Sequence, residues 1–321
     1  MDELIKQLQE VLGRARGTEM LAEKPGMKAV PFSLDYFRAL PDAEIKDVFF
    51  IDGGQATLFE TPEMLIGVIR IAVIKQNGNR TALVERQQNY VVIHTSFEES
   101  GLCYEAMIVG GQSFKINPNE SALKDGEVRA SFSKVLDVLR KKAELDKAAE
   151  HLGESLVVLD GELDAKAELE KESLSKLKGK IVGVVKSQSQ ITNTGASLYS
   201  ALLDMAPESS WWYWPVMESK NADWIIAKLS SESYQPYRIE MLPKANKEEI
   251  LAILRTCSQD LSLPGYPYGL LVADQHARVS EQEAALLKTM LVSELSKETK
   301  LLKDSFDTHE MLNRIVLRLS R

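Results

Sequence analysis

Two apolar runs in this sequence end in the same way. Val48-Phe49-Phe50-Ile51 leads into Asp52-Gly53-Gly54, and Leu156-Val157-Val158-Leu159 leads into Asp160-Gly161. Short runs of aliphatic, β-branched and aromatic residues bounded by glycine predict buried strands, which puts an aspartate at the end of each. If the two strands are neighbours in one sheet, their carboxylates meet at its edge and make a site for a divalent metal. Mg2+ and Mn2+ favour oxygen ligands, so a shell of Asp and Glu with few histidines suits them. Two such cations held about 4 Å apart would neutralise phosphate charge, activate a water and stabilise a leaving oxygen, which is the chemistry of phosphodiester hydrolysis. The glycines after the aspartates are expected to leave the backbone bare, so that a phosphate can come close. An Asp-Gly pair after a strand is also a common turn. The argument for a site therefore rests on the same context occurring twice.

The surrounding pattern sets how those aspartates would be held. Leu4, Ile5, Leu8, Val11 and Leu12 recur at helical spacing ahead of Gly13 and Gly17, so residues 1–30 read as a helical segment that packs on the body or on a second subunit. Strand texture follows at 48–52, 56–59, 64–75, 81–84, 90–94 and 103–109, with turns at Gly53-Gly54, Asn77-Gly78-Asn79 and Ser100-Gly101, which makes an antiparallel meander. A long helical stretch is expected from Asn117-Pro118 to about residue 152. Strands at 156–160, 181–186, 211–216, 224–229 and 237–241 then alternate with helices at 165–178, 195–205, 247 to about 261, and from about 269 to the end. A meander, a helix, then strands and helices in alternation is the order of an α/β protein with an RNase H-like mixed sheet, here with N-terminal and C-terminal helical elaborations. No linker divides the chain, so residues 31–321 read as one domain with a helical insertion at about 119–180.

Composition narrows the classes. With 321 residues, 44% hydrophobic and 27% charged, the chain has enough apolar material for a large core. A net charge of −8 lacks the basic signature of many nucleic-acid binders, so any such contact must be confined to a local groove rich in Lys and Arg. Cys103 and Cys257 form no CxxC pair, which argues against a zinc ribbon or thiol redox site and fits a reducing cytoplasm. Met1-Asp2-Glu3 places acids where a signal peptide carries positive charge, and the apolar run 64–74 is short and interrupted by Arg70, so a cytoplasmic protein is expected. No GxxxxGK[ST] phosphate loop occurs, so translocation would need a partner.

Other residues carry two readings each. Lys186 ends a predicted strand, where a cation could contact a scissile phosphate or orient a carboxylate; it could equally be a surface lysine. In Trp211-Trp212-Tyr213-Trp214 alternate side chains share a face, so Trp212 and Trp214 could stack unpaired bases, or the strand could fill a core or dimer contact. His94, His151 and His309 have no partner at metal-ligand spacing. The charged stretch 164–180 reads as a solvated helix face.

Taken in order, Phe50-Ile51-Asp52-Gly53-Gly54, Leu139-Arg140 with Glu144, Val157-Val158-Leu159-Asp160-Gly161-Glu162-Leu163, Val182-Gly183-Val184-Val185-Lys186, and Gly265-Tyr266-Pro267-Tyr268 through Ala273 to Ala277-Arg278-Val279 resemble the motifs of the NurA nucleases. The resemblance runs from about residue 45 to residue 285. It implies an RNase H-like enzyme that degrades DNA from its ends, depends on Mn2+ or Mg2+ (two per site), forms a homodimer, and works with a HerA-type hexameric ATPase in double-strand-break end resection. Residue by residue, Asp52 and Asp160 match the family's strand-borne aspartates and Glu144 its helix-borne glutamate. The family's C-terminal motif has a tyrosine and a histidine, whereas this chain offers Tyr266 and Tyr268, then Asp274 and His276, which leaves two registers open. Tyr268 and His276 are the first candidates, His276 as outer metal ligand or proton carrier, with Asp274 as an alternative fourth carboxylate.

The expected helix can be tested for Glu144. Phe132, Val135, Leu136, Leu139 and Ala143 form one stripe and Leu145, Ala148, Ala149 and Leu152 another, so the apolar face changes phase at Glu144, with Asp137 and Glu150 as substitutes. Two other functions stay open: a non-catalytic DNA-clamp or adaptor subunit with the same fold, and an RNase H-like enzyme acting on RNA or hybrid duplexes.

Overall fold

A computed structural model describes residues 1–12, 16–22, 27–99, 101–153, 155–187, 189–218 and 222–295. In chain order, α1 (Asp2–Leu12) precedes β1 (Lys28–Ala29) and β2 (Phe37–Ala39), and five strands follow: β3 (Asp47–Glu60), β4 (Met64–Asn77), β5 (Arg80–Glu98), β6 (Gly101–Ile108) and β7 (Ser113–Ile116). Then come α2 (Phe132–His151), β8 (Leu156–Asp160), α3 (Glu168–Ser175), β9 (Ile181–Val185), α4 (Leu198–Met205), β10 (Trp211–Tyr213), β11 (Met217–Glu218), β12 (Asp223–Lys228) and β13 (Tyr237–Met241). The helices α5 (Lys247–Thr256), α6 (Tyr268–Ala277) and α7 (Glu281–Leu295) complete the described chain.

Eleven strands form one mixed sheet in the order β2-β10-β12-β13-β9-β8-β3-β4-β5-β6-β7. β3, β8 and β9 run parallel to one another, and the remaining neighbours are antiparallel. This is the RNase H-like α/β arrangement expected from the order of elements. Alternation along β3 splits the core: Ile51 packs with Val135, Leu139 and Leu145 of α2, while Phe50 packs with Leu251 and Leu254 of α5 and with Leu270 and Ala273 of α6. A third cluster gathers Trp211, Tyr213 and Trp224 under Tyr199 and Leu202 of α4. Leu4, Ile5 and Leu8 of α1 remain exposed.

The elements differ from expectation where local signals compete with pairing. Gly53-Gly54 is not a turn: Gly53 pairs with Ile71 and Gly54 with Arg70, so β3 continues to Glu60. The expected strands 81–84 and 90–94 are one strand of 19 residues, whose polar middle stays paired to β4. Gly78, at φ +56, supports the tight β4–β5 turn. The expected helix after 118 begins only at Phe132, because Asp125 and Val128 close a turn first and the Ser131 side chain then caps α2 by accepting from Lys134 N–H. Residues 119–180 thus hold α2, α3 and, between them, the central strand β8. The C-terminal helical region breaks between α6 and α7; residues beyond 295, His309 among them, lie outside the described ones. Among the described residues no helix is long and apolar enough to cross a membrane.

Candidate metal centre

The last register pair of β3 with β8 is Ile51 with Leu159, so Asp52 and Asp160 stand level on adjacent parallel strands. Phe50 and Val158, two residues earlier on each strand, both belong to the core beneath α5 and α6, so the two carboxylates point to that side. There α6 crosses β3 closely. A β-carbon on Gly269 would lie 2.1 Å from the Phe50 ring, so only glycine lets the helix settle on it. That seating brings Asp274 to the aspartates, and one carboxylate oxygen from each of Asp52, Asp160 and Asp274 lies within 4.8 Å of the others.

Cations and a phenol complete the surroundings. Lys186, just past β9, places Nζ 2.5 Å from Asp160 Oδ2 and 5.3 Å from the centre of the Tyr266 ring. Tyr266 is buried against Tyr237, and its hydroxyl has no hydrogen-bond partner. Burial first, then the charge of Glu144 and Asp160 and more weakly Asp274, raises the Asp52 carboxyl from 3.8 to about 7, although Gly53 N–H donates to its Oδ1 at 2.8 Å. Burial and the neighbouring Asp160 and Asp52 push the Tyr266 phenol above its ordinary range, so it stays protonated. An all-oxygen donor set with crowded negative charge and a buried unpaired hydroxyl fits a hard divalent cation.

Glu144 lies outside that group of three, on the opposite face of the sheet. It is 1% exposed, ion-paired with Arg140 and 3.5 Å from Lys141 Nζ. A β-carbon on Gly53 would stand 2.5 Å from Glu144 Oε1, and one on Gly54 would stand 2.2 Å from the Ala277 carbonyl oxygen. Each glycine is therefore half-buried, Gly53 under α2 and Gly54 under the end of α6, and the missing side chains serve the approach of those helices. Asp137 accepts from Gln55 at 2.8 Å and Glu150 pairs with Lys147 at 2.6 Å, both away from the three aspartates.

Of the two open registers, the structure brings Tyr266 and Asp274 to the aspartates. His276 sits about 200° round the helix from Asp274, too far to share its face. Tyr268 opens α6, donates its N–H to Cys257 O at 3.0 Å and lines a separate small cavity with Gln76 and Asn79. Asp274→Ala is accordingly expected to weaken Mn2+ binding by more than about 100-fold, beyond the effect of losing an outer partner. His276→Ala should leave the calorimetric isotherm nearly unchanged, and equal losses in both variants would overturn this assignment.

Trp212 cannot stack a base. It is 2% exposed, part of the core, with the Arg38 guanidinium 5.0 Å from its ring centre. Trp214 is partly buried, with Lys247 Nζ 4.4 Å from its ring centre. The aromatic strand fills cores on both faces of the sheet. His94 lies 3.8 Å from Glu105, and the His151 ring stacks on Phe49, both remote from the acids.

An RNase H-like sheet with this acid cluster defines the class of the protein. Within that class the chain is similar to the NurA family, whose domain model matches residues 224–279, the stretch from β12 through α6 that carries Tyr266 and Asp274. The crystal structure of the NurA nuclease from Sulfolobus solfataricus is similar with a TM-score of 0.57 at 13% identity, over 83% of this chain and 89% of that one. A second crystal structure of NurA gives a TM-score of 0.52 at 9% identity, over 95% of this chain and 99% of that one. At those identities the likeness is one of fold. No curated protein matches the sequence.

Proposed function

We propose that the chain is a metal-dependent deoxyribonuclease that hydrolyses DNA from its ends. The observation that carries this reading is the convergence of Asp52, Asp160 and Asp274 on one point of a NurA-type fold. These three residues would hold Mn2+ or Mg2+. The bound metal supplies neutralisation of the phosphate oxygens and a water acidified toward neutral pH. Lys186, half exposed at the rim, is placed to hold a phosphate oxygen, and the protonated Tyr266 can donate to one. Arg278, exposed at the end of α6 and 3.0 Å from Asp274 Oδ2, adds a second cation beside the acids and helps an acidic chain offer a local path for DNA.

The family match supports the wider reading: a cytoplasmic homodimer that works with a HerA-type hexameric ATPase in double-strand-break end resection. Residues 31–321 then act as one nuclease domain, and the exposed Leu4, Ile5 and Leu8 of the segment 1–30 are free to meet another chain. The test is digestion of labelled linear DNA with Mn2+ against EDTA, with and without a HerA-type ATPase, for the native chain and for Asp52→Ala, Asp160→Ala and Asp274→Ala. Metal-dependent cleavage by the native chain alone, lost in each variant, is expected. A chain that binds DNA and never cuts it would be a clamp subunit, and preferential cleavage of RNA or hybrid duplexes would reassign the substrate.

A further inference from the structure

Arg70 interrupts the most apolar strand of the sheet. It lies in the middle of β4, 2% exposed, where a charge is costly unless fully paired. Its guanidinium reaches three partners. Nε and Nη2 donate to Gln88 Oε1 at 3.1 and 2.5 Å, Nη1 donates to the Arg278 carbonyl at 2.7 Å, and the two terminal nitrogens form a forked pair with Glu283, Nη1 to Oε2 at 3.1 Å. Arg278 is the residue at which α6 ends, and Glu283 belongs to the first turn of α7. One buried side chain thus grips the joint between the two helices.

The strand opposite receives the same joint. Gly54 is the register partner of Arg70, and a β-carbon there would collide with the Ala277 carbonyl at 2.2 Å. Gly54 is two residues from Asp52 on the same face, and Ala277 is three residues from Asp274 on the same helix. The distance between these two carboxylates is therefore set by a grip on one side and a missing side chain on the other.

We propose that Arg70 is a positioning residue for Asp274, fixing the end of α6 so that the third carboxylate meets Asp52 and Asp160. This rests on reading the three aspartates as a metal site. An arginine is required because no lysine can serve a carbonyl, an amide and a forked carboxylate together.

The test reads Mn2+ affinity of the full chain by calorimetry and by electron paramagnetic resonance, alongside thermal stability. The variants are Arg70→Met, Arg70→Lys, Glu283→Gln, Asp274→Asn, and Asp274→Asn combined with Arg70→Met or with Glu283→Gln. Arg70→Met, Arg70→Lys and Glu283→Gln are expected to bind Mn2+ roughly 10- to 100-fold more weakly, measured per folded molecule. In the Asp274→Asn background the second substitution should cost nothing further, because it acts through that residue. Should Arg70→Met fail to fold, Glu283→Gln alone and in the Asp274→Asn background gives the same reading. Unchanged affinity with a lowered melting temperature would reduce Arg70 to a purely structural role and overturn the proposal, as would a full loss that persists without Asp274. Failure of the native chain to bind Mn2+ would instead sink the metal site itself.

Discussion

Replacing Asp52 with asparagine is expected to lower metal-dependent cleavage by roughly 10³-fold or more and, in metal-free protein at pH 8, to raise stability. The sign follows from the shifted carboxyl. In the fold its pKa is about 7 against an ordinary 3.8, so between those values the folded state holds a proton that the unfolded chain has released. The stability contributed by that proton is fully present below pH 4 and is lost as pH rises through 7. At about 1.4 kcal/mol per unit, the loss is on the order of 4 kcal/mol. Asparagine has the same shape and no charge to bury, so it escapes the loss. Thermal melts in EDTA from pH 4.5 to 8.5 should show the native chain weakening relative to Asp52→Asn, and Mn2+ should restore it. Because binding must expel the proton, Mn2+ affinity should climb with pH up to about 7. A native chain that gains stability relative to the variant across that range would contradict the crowded-carboxylate picture.

The second large effect concerns a charge with no direct part in the acid cluster. Arg238 is fully buried, 2.5 Å from Glu162 Oε1 and 3.0 Å from Glu240 Oε1, with its guanidinium 4.0 Å from the centre of the Trp224 ring. Glu240, 1% exposed, also accepts from Leu163 N–H at 2.9 Å, three residues after Asp160. Arg238→Met leaves a buried carboxylate that has lost its guanidinium, which costs about 3–5 kcal/mol. In a chain of this size that is a fall in melting temperature of roughly 5–7 °C. Adding Glu240→Met should recover part of it, since an apolar pair of similar volume removes the stranded charge while Leu163 N–H loses its acceptor. Urea denaturation of the single and double variants decides the matter, and a single-variant loss under about 1 kcal/mol would mean the pair contributes little.

The parts of the site that could be read from the sequence are those written locally. Asp52 and Asp160 each follow four apolar residues; that their strands are neighbours was only a condition there, and the parallel pairing of β3 with β8 meets it. Asp274 could not be separated from His276, because Leu270, Leu271, Val272, Ala273 and Ala277 surround α6 with apolar residues and leave its phase undetermined. The hydroxyl of Tyr266 is remarkable only for its burial, which no local pattern reports. Arg70 showed only as a charge interrupting an apolar run, since two of its three partners lie 208 and 213 residues away. Gly53-Gly54 carries a strong turn signal, and only the unbroken pairing of β3 with β4 overrides it.

That glycine pair has a wider meaning. Glu144 presses on Gly53 from one side of the sheet and the Ala277 carbonyl on Gly54 from the other, so at this point two helical layers share a partition one backbone thick. What selection must preserve at these two codons is the absence of an atom. Neither position performs chemistry, yet each would be held as tightly as the aspartate beside it, and invariance in this strand would overstate the number of residues that react.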